Sequence, residues 1–175
     1  MNVRRFVESH RTLPEAWAQV LARLSPADRE IADHALASAW YPLDAYVRLI
    51  HAVADVLGGG DVRTMVELGR YEAEHDLTVV HRIFLKLLHP ATLAEKTAEY
   101  WSRFHDTGEW TATRKANGYQ MVLRGWGCAD DALCAELIGY LTRLLELIGT
   151  KEPRLRHPEC RARGGSACVF EGHWK

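Results

Sequence analysis

All four cysteines of this 175-residue chain, Cys128, Cys134, Cys160 and Cys168, fall in its last third. Gathered thiols oxidise, bury as small apolar groups or hold a metal, so the cluster limits what this segment can fold around. No run approaches the roughly 18 uninterrupted apolar residues of a membrane-spanning helix, and the opening MNVRRFVESH lacks the apolar middle of a secretory signal. The expected location is therefore cytoplasmic and off the membrane, where a reducing medium favours metal binding over disulfides. Cys160 and Cys168 flank the glycine turn of the segment RARGG, and His157 lies three residues before Cys160. Thiolate and imidazole are preferred zinc donors. Cys134, near the start of a helix that also favours its thiolate, can supply a fourth donor and close a structural site with no open position for substrate. Free buried thiols beside a surface histidine remain the alternative on spacing alone.

The surrounding pattern predicts an α+β chain, a helical N-terminal half followed by a β-β-α-β-β unit with an antiparallel sheet. Prolines 14, 26, 42 and 90 mark helix starts, where a missing N–H costs nothing. Ser25 is a candidate N-cap for a helix with Ile31, Ala32, Ala35 and Leu36 on one face. From Pro42 a second helix places Tyr46, Leu49, Ile50, Val53 and Leu57 on one side and ends at Gly58-Gly59-Gly60. Asp61 caps a third through MVELGRYEAEH, after which DLTVVHRIFLKLLHP is apolar all round and predicted buried. A further helix follows around ATLAEKTAEYWSRFH. Asn117-Gly118 then joins strands over 109–115 and 119–126 as a type I′ hairpin. Leu137, Ile138, Leu141, Leu144, Leu145 and Ile148 form one face of a helix ending at Gly149. PRLRHPEC and SACVFEGHW make a second hairpin. With no repeat or linker, residues 1–175 form one domain, 1–40 being a helical extension.

Lys plus Arg total 22 against 23 for Asp plus Glu, which gives no electrostatic reason to expect a nucleic-acid partner. No nucleophile elbow, phosphate loop or His-Glu-x-x-His is present, so no enzymatic activity is expected. Glu72, Glu74 and His75 read as a solvated charged helix face.

The segment Cys134…His157-Pro-Glu-Cys160-x7-Cys168-Val-Phe, after an amphipathic helix, resembles the end of the 4-vinyl reductase (V4R) and XylR-type activator sensor domains. These belong to a broader superfamily with haem-based nitric oxide sensors and vesicle-tethering subunits. The resemblance implies a zinc held by a helix cysteine and a C-terminal acidic-x-x-Cys-x7-Cys motif. Cys134, Cys160 and Cys168 match its cysteines, while His157 stands at the acidic position and Glu159 is the alternative oxygen donor. Cys128 matches no ligand position and reads as a small apolar residue. WYPLDAY, YWSRFHDTGEW and the closing Cys-Val-Phe resemble an uncharacterised myxobacterial paralogous family of the same superfamily.

That resemblance implies a fold with an apolar cavity, and hence a non-catalytic sensor for a small hydrophobic or aromatic molecule. Candidate walls are Phe84, Trp101, Trp110, Tyr119 and Trp126, with His81 and His105 as polar anchors; the same aromatic residues also suit ordinary core packing. Haem is not expected, because Tyr100-Trp-Ser102-Arg103 is out of step with the Tyr-x-Ser-x-Arg signature of haem sensors. Related sensor domains pair through N-terminal elements, so a homodimer is expected through the first thirty residues, with Phe6, Trp17, Val20 and Leu21 as its surface. An adaptor module without ligand is the other reading.

Overall fold

The computed structural model describes residues 2–10, 13, 15–36, 39–76, 90–115 and 118–174. In chain order, the helical part comprises α1 (Asn2–Ser9), α2 (Ala16–Ala22), α3 (Pro26–His34), α4 (Leu43–Gly58), α5 (Thr64–Asp76) and α6 (Pro90–Tyr100), the last followed by a 3-10 turn, Trp101–Arg103. Then come β1 (Glu109–Lys115), β2 (Gly118–Arg124), α7 (Asp131–Leu147), β3 (Arg154–Glu159) and β4 (Cys168–His173). This is the α+β arrangement read from the sequence. Asn117 lies outside the described residues, as does most of the apolar stretch after α5.

The helix starts follow local chemistry. Ser25 Oγ accepts from Asp28 N at 3.2 Å with Pro26 at the first helical position. Asp28 is held by Ser25 and by the Arg48 fork at 2.8 and 2.9 Å, which ties α3 to α4. The periodicity overextends α3: it ends at His34, leaving Leu36 exposed. Asp61 likewise accepts from Arg63 N in the turn before α5, which begins at Thr64.

The N-terminal segment is integral to the core. Phe6, Trp17 and Val20, offered above as a partner-binding surface, are buried in the same apolar cluster as Ile50 and Val53 of α4 and Met65 and Leu68 of α5. Their amphipathic faces are satisfied within the chain, through packing of α1 on α5 and α2 on α4. Leu21 is only partly buried.

Helices α5 and α7 meet backbone to backbone. A Cβ on Gly69 would lie 1.9 Å from Glu136 O, and one on Gly139 would lie 2.0 Å from Val66 O. Only glycine permits this approach. Ion pairs among Arg70, Glu146, Arg143 and Glu74 line the contact.

The sheet order is β1-β2-β4-β3, all antiparallel, so β4 inserts beside β2 and the two hairpins form one sheet. Alternation puts Trp110, Tyr119, Met121, Leu123, Cys168 and Phe170 on the buried side, facing α6 and α7. Thr111 and Thr113 point to solvent. A register irregularity between Arg156 and Glu159 re-aims the end of β3. Among the described residues no helix is long and apolar enough to cross a membrane.

Candidate metal centre

Three elements bring the cysteines together. Cys134 lies in the first turn of α7, whose N-terminus is capped by Asp130 Oδ1 accepting from Ala132 N (2.8 Å) and Leu133 N (3.2 Å). Cys160 follows β3 and enters the Arg161–Arg163 turn, which closes through Gly165 N donating to Cys160 O at 2.8 Å. Cys168 opens β4. The Cys134 Sγ is 3.6 Å from Cys168 Sγ and 3.7 Å from Cys160 Sγ. All three residues are buried.

His157 completes the group. Its Nδ1 lies 2.9 Å from Val169 O, a pure acceptor, so Nδ1 carries the hydrogen and Nε2 presents its lone pair. That Nε2 is buried with no hydrogen-bond partner. Metal-bound histidines characteristically show one ring nitrogen donating to a carbonyl while the other is left to the metal. Phe170 stacks on the ring at 4.3 Å and 17°, fixing its plane. The four donor atoms of Cys134, His157, Cys160 and Cys168 lie within 4.8 Å of one another. Thiolates about 2.3 Å from a tetrahedral zinc would be separated by about 3.8 Å, so the spacing of Cys134 Sγ from the other two sulfurs and the donor set fit a metal such as zinc.

Cys168 is pulled down to about 4, first by the hydrogen bond from Cys134. Cys134 is pushed up as the donor of that pair and by burial, and burial raises Cys160. Arg163 reaches His157 O at 3.2 Å and Asp131 at 3.5 Å, beside the Cys160 Sγ.

Glu159, the alternative oxygen donor, is engaged elsewhere. Its Oε1 accepts from Ser166 N (2.8 Å), Ser166 Oγ (3.0 Å) and Ala167 N (3.2 Å), bracing the loop between the two C-terminal cysteines. Cys128 is outside the cluster and half-buried.

The candidate ligand residues divide. Trp101 packs on Trp110 and Trp126, each at 5.3 Å, and stacks on His105 at 3.9 Å. The stack continues from Trp110 to Phe170 at 5.6 Å, and so to His157. Burial lowers His105 to about 4, keeping it neutral. Tyr119 stands apart, its ring 6.2 Å from Trp174 and its hydroxyl donating to Glu95 at 3.3 Å. It lines a cavity of about 20 Å³ between α6, α7 and the sheet, beside Met121, Leu141 and Leu145, space for about one water molecule. His81 and Phe84 lie outside the described residues.

Sequence reasoning missed Phe170 as the residue orienting His157, although its position two after Cys168 on a strand puts both on one face. It also misread Glu72. That residue is not on a solvated face but packs its carboxyl against Glu136 of α7, and Glu74 pairs with Arg143. The missed signal was Glu136 itself, an acid within an apolar helix.

No family model and no curated protein matches the sequence. Solved structures do. An H-NOX protein from S. oneidensis, in the Fe(II)NO ligation state, superposes with a TM-score of 0.72 at 15% identity, covering 99% of this chain and 96% of its own. The Fe(II) unliganded H-NOX protein from K. algicida gives 0.70 at 10% identity over 99% and 93%. A vinyl-4-reductase family protein from Methanocaldococcus jannaschii gives 0.52 at 15% identity over 93% and 97%. The chain therefore has the fold shared by H-NOX domains and the vinyl-4-reductase family, carrying a Cys3His cluster able to hold a metal where α7 meets the end of the sheet.

Proposed function

We propose that this chain is a non-catalytic, cytoplasmic sensor domain, with a structural zinc held by Cys134, His157, Cys160 and Cys168, responding to a small hydrophobic or aromatic molecule. The four converging donors, with the orphaned His157 Nε2 among them, carry the zinc assignment. Bound there, zinc supplies cross-linking, and the residues around it do the rest. Cys134 anchors α7, Cys160 and Cys168 anchor the second hairpin, and Val169 and Phe170 orient His157. Four protein donors leave no open coordination position, which is the reason for reading the site as structural. The H-NOX-like fold and the aromatic packing of Trp101, Trp110 and Trp126 support the sensor reading. Haem is not part of it, since Tyr100-Trp-Ser102-Arg103 is out of step. Signal output through a homodimer, and kinship with the myxobacterial paralogues, belong to the same proposal.

Elemental analysis of purified protein tests the metal. About one zinc per chain, lost in Cys160→Ser, is expected; a metal-free, fully folded wild type refutes it. Thermal-shift screening with aromatic and lipid-like compounds tests the sensor, since a ligand at a hundredfold excess over Kd stabilises by about 2.7 kcal/mol.

An adaptor role is favoured by two observations. The cavity beside Tyr119 has room for about one water molecule, and residues of the two aromatic motifs, Trp40 (62% exposed) and Phe104 (73%), face solvent. A screen without hits would select this reading.

A further inference from the structure

Beside the glycine contact of α5 and α7, away from the metal centre and the aromatic stack, four helices enclose a group of acids. From α4, Tyr46 donates to Glu136 Oε1 at 2.6 Å. From α5 come Glu72 and Asp76, from α7 Glu136 and Tyr140, and from α1 Asn2, whose amide donates to Asp76. Tyr140 also donates to Asp76. His75 adds a weak influence on Asp76 alone. Arg70 and Arg143 are committed to Glu146 and Glu74, and no cation among the described residues figures among the groups acting on Glu72.

The donors can be counted. Tyr46 has one hydrogen, which Glu136 Oε1 and Glu72 compete for, Tyr140 gives its hydrogen to Asp76, and Asn2 gives one of its two to Asp76. Glu136 Oε2 is left buried with no partner. The Glu72 carboxyl is within hydrogen-bonding reach of the Glu136 carboxyl. Two ionised carboxylates offer only acceptors, so the contact would be repulsive and the buried oxygen unsatisfied. With a proton on Glu72, the same contact becomes a donated hydrogen bond. The glutamates cannot separate freely, because Gly69, one turn before Glu72, holds the α5 backbone against that of Glu136 itself.

We propose that Glu72 is a neutral carboxylic acid in the folded chain, donating to Glu136, and that its proton latches α5 to α7 and α4. Burial first, then the Glu136 charge, raise Glu72 well above the usual carboxylate range. A raised folded-state value means that the stabilisation is complete below the unfolded-state value and is lost as pH rises through the folded one. The latch is thus closed at acid pH and opens on the alkaline side as Glu72 gives up its proton.

Infrared spectroscopy in heavy water, on the full chain, tests this directly. The wild type at neutral pH should retain a protonated-carboxyl C=O band that Glu72→Gln lacks; a wild type without that band overturns the proposal. Thermal unfolding between about pH 5 and pH 8 supplies the second readout. Glutamine keeps a donor facing Glu136 and cannot ionise, so Glu72→Gln should match the wild type at the acid end and exceed it by several degrees at the alkaline end. Parallel pH profiles for the two proteins also overturn it.

Discussion

Replacing Gly69 by alanine places one methyl group where α5 and α7 touch. The new Cβ would be 1.9 Å from Glu136 O and 2.8 Å from Glu136 C and Tyr140 N. These are all backbone atoms, so no side chain can swing aside. Restoring an ordinary contact of about 3.4 Å requires the helices to part by about 1.5 Å. Overpacking of this kind costs about 3 kcal/mol, and the better helix propensity of alanine offsets about 1 kcal/mol. The net loss of about 2 kcal/mol lowers Tm by about 4–8 °C for a chain of this length. Gly139→Ala, 2.0 Å from Val66 O, should behave alike. The double variant should lose less than the sum, because helices already parted accommodate the second methyl. Thermal and urea unfolding of the three variants measure this. A Gly69→Ala protein as stable as the wild type, or strictly additive losses, would refute the argument.

Three further outcomes are expected. Phe170→Ala, at a fully buried position between His157 and Trp110, should cost about 3–5 kcal/mol and weaken zinc retention in a chelator competition, whereas Ile50→Ala should cost stability alone. His105 is depressed from 6.5 to about 4 by burial, so its contribution is intact above pH 6.5 and lost as pH falls toward 4; His105→Phe should flatten that limb of a stability-pH profile. Asp28 is held at about 2 by Arg48 and Ser25, so its stabilisation is present above about pH 3.8 and lost as pH falls through 2; Arg48→Met should move acid unfolding to higher pH.

Local signals in the chain carried much of the architecture. Ser25-Pro26 set a helix start, Gly149 a helix end, and the alternation through Trp110 and Leu123 two strands, because caps, turns and strand periodicity act over a few residues. The cysteines of the candidate cluster were legible for the same reason: Cys160 and Cys168 straddle a short turn, and the candidates His157 and Glu159 precede them on one strand. Which oxygen or nitrogen joins them was not legible, because the irregularity in β3 and the Ser166 and Ala167 donors that capture Glu159 depend on how β4 packs beside β2. The amphipathic faces of α1 and α2 stated that Phe6, Trp17 and Val20 must be covered, without stating by what. Only packing against α4 and α5 answered that. Glu72 is the sharpest case. Helical spacing gave it a polar face, and the close approach permitted by Gly69 and Gly139, some seventy positions apart, turned that face inward against another carboxylate. The sequence by itself determined most of the elements and marked the cysteines of the candidate metal cluster; contacts between distant residues, which no local pattern encodes, decided how that cluster closes and which acid is buried.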